Sequence, residues 1–367
     1  MKLVAAVLVC AIAYLFIRIL YRRHWDEGLL VHVDFPDRIV REGEMSTLNE
    51  VITNDKWLPL PILQVKFSIT RSFLFSEEDK GDVTDNYYRN EYFSLRSFER
   101  ISRTYRFRAS RRGLFSMRGM DLVCRDLFMK DEHYDSRDQG ATLLVLPGRV
   151  PERNIPQGAK RLLGEIETKT KLQDDPFSFA SIREYQSGDP MRSINWKLTA
   201  REDRLMVNTF HTTVEREVVI VINLNTHHHR EQDRVMEGTL RIAATLAAMC
   251  LKEKIPVGIL SNGRDILSKE AVWVAPGADP SHIHTLENAL ARIDTSLSRE
   301  EILPVLEKRI RDHVQEEYLL LSNDADPALQ KSLARLIRTN PDRLHLICPC
   351  MKYDERLSGL PAVYWDL

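Results

Sequence analysis

The sequence predicts a membrane-spanning helix, then an all-β sandwich of the immunoglobulin-like kind, then a doubly wound α/β sheet. Three observations carry this reading. Residues 3–17, LVAAVLVCAIAYLFI, hold no charge. Between 29 and 148, short apolar-alternating runs recur between turn signals, at the spacing of antiparallel strands. From residue 215 the pattern becomes apolar strands alternating with amphipathic helices, the order that builds a sheet covered on both faces. The boundaries read as a membrane anchor over 1–24, a β-sandwich over 25–148, a connecting segment over 149–214 and an α/β domain over 215–367. A chain of 367 residues has room for two such domains and a short extra segment.

The apolar run at 3–17 would span only about 22 Å as a helix, but residues 3–21 reach about 28 Å, close to a hydrocarbon core. Arg18 can snorkel, and Tyr21 and Trp25 suit the interface. A cleaved signal peptide fits less well. Arg18, Arg22 and Arg23 lie where a small-residue cleavage site belongs, and Ala11-Ile12-Ala13 comes too early for one. Val9 before Cys10 also argues against a lipoprotein anchor. Basic residues follow the run (Arg18, Arg22, Arg23) more than they precede it (Lys2), so the positive-inside rule places the bulk of the chain in the cytoplasm of a single-pass cell-membrane protein.

The strands of the first domain are expected at Leu29–Val33, Leu48–Ile52, Ile62–Ile69, Ile101–Phe107, Met120–Val123 and Leu143–Leu146. The charged stretch 77–90 reads as an exposed excursion between them. Residues 149–180 read as a polar connection. In the second domain, Val218–Ile222 is the fully apolar, β-branched run of a buried parallel strand. Met236, Leu240, Ala243, Ala247 and Cys250 recur on one helical face, and Asp326-Pro327 opens a later helix. Further strands are expected at Val257–Leu260, Ala271–Val274, Tyr318–Leu321 and Leu344–Cys348.

The net charge of −1 gives no global basic field, so nucleic acid is not an expected partner. Five cysteines, one of them in the apolar run, do not make a disulfide framework. Cys348-Pro-Cys350 lacks the two-residue spacer of a metal or redox pair and reads as structural. No Walker A, G-x-G-x-x-G, H-E-x-x-H or G-x-S-x-G sequence occurs, so the expectation is a protein without catalytic residues and without a cofactor.

The most specific stretch is 185–201, Y-Q-S-G-D-P-M-R-x-I-N-W-K-x-T-A-R. Ser187-Gly188 is a turn pair. Asp189 reads as a helix N-cap with Pro190 as the first helical residue, which would put Ile194 and Leu198 on one face. This block resembles the signature of prokaryotic membrane-associated proteins with "domain of unknown function 58". The resemblance implies an N-terminal membrane segment, a β-rich region and a C-terminal half similar to von Willebrand factor type A domains. It also implies action beside a MoxR-type AAA ATPase. Within the block, Asp189, Arg192, Trp196 and Arg201 are either a docking surface or a structural latch, in which Asp189 caps a helix and Trp196 packs under the sheet.

Type A domains carry a hard-cation site of Asp-x-Ser-x-Ser, a Thr and a further Asp at the carboxyl ends of their strands. Here the corresponding positions hold Asn223, Asn225 and His227, with Asn323 where the later acid would stand. The resemblance therefore implies the fold with a degenerate metal site. His227-His228-His229 reads as a solvated loop. The function expected is that of a membrane-anchored, non-enzymatic binding or scaffold protein that helps assemble or activate envelope proteins. The alternatives are a hydrolase with an unusual site in the α/β half and a metal-dependent adhesion module.

Overall fold

The structure, a computed structural model, describes residues 2–75, 82–83, 86–173, 179–186, 189, 191–210, 216–226, 231–297, 299–351 and 360–367. The chain divides into two compact units, Met1–Gly148 and Arg149–Leu367.

The first unit opens with α1 (Lys2–His24), the one described helix long and apolar enough to cross a membrane. Ten strands follow: β1 (Leu29–Asp34), β2 (Ile39–Arg41), β3 (Met45–Asn54), β4 (Leu60–Thr70), β5 (Phe73–Phe75), β6 (Asp82–Val83), β7 (Asn86–Leu95), β8 (Glu99–Ala109), β9 (Gly113–Arg125) and β10 (Glu132–Leu146). They form a four-stranded sheet, β1-β3-β8-β5, and a six-stranded sheet, β2-β10-β9-β4-β7-β6. One apolar core joins them: Val31, Leu48, Ile52 and Phe107 from the first sheet meet Leu63, Val65, Leu122 and Leu143 from the second. In β3 every second residue is buried, the period a strand with one wet face requires. Phe73 and Phe107 stack at 4.5 Å between ring centroids within that core.

The last turn of α1 belongs to the same core. Tyr21 and Trp25 are buried in it, and the Tyr21 hydroxyl donates to the Pro59 carbonyl at 2.7 Å. Residues 86–90, expected within an exposed excursion over 77–90, are in a strand. They open β7, which pairs antiparallel with β4 from Thr70↔Asn86 to Leu60↔Leu95, and Arg89 is buried under the ring of Tyr105. The polar spelling of this strand conceals its partner. Residues 76–81 and 84–85 lie outside the described residues.

The second unit begins with α2 (Gln157–Gln173). This helix lies within the polar connection expected over 149–180. Ala159, Leu162, Leu163 and Ile166 recur at helical spacing and are buried against the sheet, while the rest of the helix is polar. Then come β11 (Phe179–Glu184), α3 (Trp196–Glu202) and β12 (Met206–Phe210). After them the sheet and its helices are built from β13 (Glu217–Ile222), α4 (Gln232–Lys252), β14 (Val257–Asp265), β15 (Ala271–Gly277), α5 (His282–Ala291), β16 (Ile293–Asp294), α6 (Ile302–Asp312), β17 (Glu316–Leu321), α7 (Pro327–Thr339), β18 (Leu344–Cys350) and β19 (Ala362–Asp366).

The sheet order is β15-β14-β13-β17-β18-β19, with β16 beside β14. Strands β14, β13, β17, β18 and β19 are parallel, and β15 is an antiparallel edge. Val218, Ile220 and Ile222 face one apolar core with α2, α4 and α5. Val219 and Val221 face a second with α6 and α7. A strand buried on both faces must be apolar at every position, which is why the run 218–222 carries no alternation. Cys348 and Cys350 are buried on β18.

Candidate functional site: the signature module and the switch-point cleft

The block 185–201 folds into a small module with its own scaffold. Strands β11 and β12 pair antiparallel, Glu184↔Met206 to Phe179↔Phe210, and Ile194 bridges to Val207. Between them lie a short 3-10 turn, Met191–Ser193, and α3. Asp189 does not cap a helix. Its two carboxylate oxygens each accept from the Arg183 guanidinium at 2.7 Å, and Oδ2 also accepts the Gln186 N–H at 2.8 Å. The guanidinium and the amide hold this carboxyl below the usual carboxylate range. The cap falls to Asn195, whose side-chain oxygen accepts the Leu198 N–H at 3.1 Å. Ile194 therefore stands outside the helix that contains Leu198 and shares no helical face with it. Pro190 lies outside the described residues.

The rest of the module is stitched together locally. Asn195 Nδ2 donates to Asn208 at 2.9 Å, and the Met206 N–H donates to Thr199 Oγ1 at 3.0 Å. Trp196 does not pack under the sheet. It is 62% exposed, and Met191, five residues earlier, is 70% exposed. Arg201 is exposed in the last turn of α3. The backbone of Arg192 lies in the 3-10 turn; its side chain lies outside the described residues. Of the singled-out residues, Asp189 is held by Arg183 and the Gln186 N–H, and Trp196 and Arg201 are exposed.

The second feature sits at the carboxyl ends of β13 and β17. The chain leaves β13 toward β14 on one side and leaves β17 toward β18 on the other. That divergence makes a crevice where open α/β sheets take their ligands. The cleft there has a volume of about 540 Å³ and is lined by Asn223, Asn225 and Thr226 after β13, Asp324 and Asp326 after β17, and Arg299 and Glu301 before α6.

Asn223 is fully engaged. Its Nδ2 donates to Ser322 Oγ at 3.0 Å, and its Oδ1 accepts Asn262 Nδ2 at 2.9 Å and the Asn225 N–H at 3.1 Å. Asn262 Oδ1 in turn accepts the Leu224 N–H at 2.9 Å. A neutral amide network therefore ties together the ends of β13, β14 and β17. Asp324 Oδ1 accepts the Asp326 N–H at 3.1 Å, and Asp326 Oδ1 caps α7 through the Ala328 N–H at 3.3 Å. Arg299 donates to the Leu224 carbonyl at 3.0 Å, and burial pulls its pKa down from the ordinary arginine value.

These groups do not fit a type A cation site. The Asn223 oxygen already accepts two N–H bonds, its amide nitrogen is a donor, and a guanidinium shares the cleft. Among the described residues no three His, Cys, Asp or Glu side chains converge as metal ligands. Asn323 is buried one residue before the cleft-lining Asp324, and its Nδ2 has no hydrogen-bond partner. His227 lies outside the described residues. The sequence reading missed Asn262 and Arg299. The first had a signal, because Ser261-Asn262-Gly263 breaks an apolar strand into polar residues at its carboxyl end; the second had none.

An apolar N-terminal helix, a β-rich unit and a mostly parallel α/β sheet with a polar switch-point cleft define the class of protein. Residues 181–339 match the family model described as "Protein of unknown function DUF58". The match runs from β11 through α7 and so takes in both the signature module and the cleft-lining residues. No curated protein matches the chain. Among solved structures, a CARDB domain from Pyrococcus furiosus, solved in complex with di-metal ions, is 13% identical, covering 32% of this chain and 94% of its own, with a TM-score of 0.21. Two domains of the major pilin SpaD from Corynebacterium diphtheriae are 10% identical, covering 29% and 49%, with a TM-score of 0.22. A β-glucosidase from Listeria innocua is 12% identical, covering 32% and 17%, with a TM-score of 0.16. At those TM-scores the likenesses decide nothing about activity.

Proposed function

We propose that the protein is a membrane-anchored, non-enzymatic binding protein whose signature module docks a MoxR-type AAA ATPase, in the assembly or activation of envelope proteins. The observation that carries this is the exposure of Trp196 on a module otherwise locked by its own hydrogen bonds. A large exposed aromatic on a rigid base, with Met191 and Arg201 near it in sequence, has the composition of an interface hot spot. On this reading the sandwich is immunoglobulin-like and the α/β unit is type A-like, with a cleft closed to cations by the Asn223 network. The excess of Arg18, Arg22 and Arg23 over Lys2 supports a cytoplasmic position for both units, where such an ATPase works. Cysteine labelling on intact cells checks this: an exposed-site variant such as Glu44→Cys is expected to react only after lysis, and labelling from outside would reverse the orientation.

The docking test uses the full chain in nanodiscs and a MoxR-type ATPase from the same cells. Trp196→Ala is expected to weaken binding about thirtyfold, corresponding to about 2 kcal/mol, while the melting temperature stays unchanged. A drop in melting temperature with unaltered affinity would make Trp196 structural and the docking surface wrong. The adhesion and hydrolase readings both need a reactive cleft. The acids Asp324, Asp326 and Glu301 favour neither over docking, because Asp324 and Asp326 are engaged with backbone N–H groups and the Arg299 guanidinium shares the cleft.

A further inference from the structure

The hairpin between β9 and β10 lies against the membrane helix and ends in an apolar tip. Leu127, Phe128 and Met129 are 51%, 48% and 64% exposed. The Phe128 ring packs on Tyr14 of α1, with centroids 5.0 Å apart. Two residues beyond the tip, Asp131 pairs with Arg18, whose Nη2 donates to Asp131 Oδ1 at 3.2 Å. The hairpin is thus fixed to the helix at two levels. Arg18 is the first charged residue after the apolar run of α1, and Tyr14 lies about 6 Å further into the bilayer along the helix axis.

We propose that this hairpin tip is a second membrane contact, inserted into the lipid interface beside α1. The proposal rests on α1 being a membrane anchor and adds to it a lipid-binding surface on the β-sandwich. A depth of about 6 Å is the depth to which amphipathic interfacial elements enter a bilayer. The tip is built to lose water. Part of its backbone is paired internally: the Met129 N–H donates to the Asp126 carbonyl at 3.0 Å, the Lys130 N–H to Asp126 Oδ1 at 2.9 Å, and the Asp126 N–H to the Asp131 carbonyl at 3.3 Å. Asp131 is paired with Arg18, and Asp126 is buried within the turn.

Backbone geometry points the same way. Met129 sits at φ 54°, a conformation glycine takes with no steric cost, yet a large apolar side chain is kept there. The neighbouring turn between β7 and β8 repeats the device: Phe98 is at φ 55° and 69% exposed. That turn joins the same end of the sandwich, because the Phe98 N–H donates to the Lys56 carbonyl and Lys56 Nζ donates to the Trp25 carbonyl at 2.7 Å. Trp57 stands exposed in the same loop. Aromatics at that height match the belt at the water interface, with Arg22, Arg23 and Lys130 placed to meet anionic headgroups.

The test is depth-dependent quenching in nanodiscs of phosphatidylcholine and phosphatidylglycerol carrying doxyl-labelled acyl chains. An environment-sensitive probe is placed on Met129→Cys, and separately on Leu127→Cys, in a Cys10→Ser background; the remaining native cysteines are buried. Cys10 itself, labelled in the native chain, is the reference within the span. A probe on Glu44→Cys, in the turn before β3, is the reference in water. The hairpin probes are expected to lose roughly half or more of their emission to the quencher, with the Glu44→Cys probe unaffected. If Cys10 is quenched and both hairpin probes behave as in water, the insertion is wrong while the anchor stands. Hairpin probes shielded from water but unquenched would mean a protein covers the tip, which also overturns the proposal. If Cys10 is unquenched as well, the anchor and the insertion fall together.

Discussion

Raising the pH from about 5 to 8 is expected to destabilise the β-sandwich by about 3 kcal/mol, and Glu50→Gln is expected to abolish the dependence. Glu50 is buried on β3, with 1% of its surface exposed. Its Oε2 accepts the Tyr105 hydroxyl at 2.8 Å, and its Oε1 has no partner. Burial pushes this carboxyl from its ordinary 4.5 up to about 7, with the Glu91 charge adding to the rise and Tyr105, Arg103 and Arg89 opposing it. A raised acid holds its proton longer in the folded state than in the unfolded chain. Between those two values the folded state binds more protons, so stability falls as pH rises and levels off above about 7. At about 1.4 kcal/mol per pH unit, the interval is worth about 3 kcal/mol. The measurement is hydrogen exchange of the β3 and β8 amides in the full chain across this range. A flat profile in the native protein, or the same slope in Glu50→Gln, would assign the charge elsewhere.

Neither the burial of Glu50 nor the hydrogen bonds from Asn262 to Asn223 and on to Ser322 were legible in the sequence, and the reason is the same for both. Periodicity reports which face of an element meets a core, because apolar burial imposes a period of 2 on a strand and of about 3.6 on a helix. That is why α1, the core-facing positions of β3 and β8, the unbroken run of β13 and the Asp326 cap of α7 could all be anticipated. Polar residues obey no such period. Glu50 occupies an apolar position within β3, and only the three-dimensional arrangement shows that Tyr105 lies against it. The helix α2 was hidden because its charged residues outnumber the few apolar ones that matter. Strand β7 was hidden because its first residues are polar. At 185–201, the motif Asp-Pro carried the usual helix-start chemistry, yet Arg183, six residues upstream of Asp189, captured the carboxylate first. Local propensity lost there to a charge-assisted contact that a window of four residues cannot see.

Asn223→Ala is expected to lower the stability of the α/β unit by about 3 kcal/mol, with Asn223→Asp much milder. Alanine removes the acceptor for Asn262 Nδ2 and the Asn225 N–H, and the donor to Ser322 Oγ. Asn262 keeps the Leu224 N–H at 2.9 Å and the Glu300 carbonyl at 3.2 Å, but its other amide hydrogen and the Asn225 N–H lose their acceptor, and Ser322 Oγ keeps only the Asp324 N–H at 3.3 Å. Each unsatisfied buried group costs about 1–3 kcal/mol. Aspartate keeps the acceptor, and the serine hydroxyl can rotate to donate to it, so only the new charge must be accommodated beside Arg299. Two readouts decide the matter. The first is the melting temperature, which for a unit of this size falls by about 2–4 °C per kcal/mol, so the alanine variant should lose about 6–12 °C. The second is the response to Mg²⁺. A cation bound at a hundred times its Kd would add about 2.7 kcal/mol to the native protein. If Asn223 is a neutral lock, millimolar Mg²⁺ leaves the native melting temperature where it was. A Mg²⁺-dependent rise in the native protein that vanishes in Asn223→Ala would make Asn223 a ligand, and the cleft a working cation site.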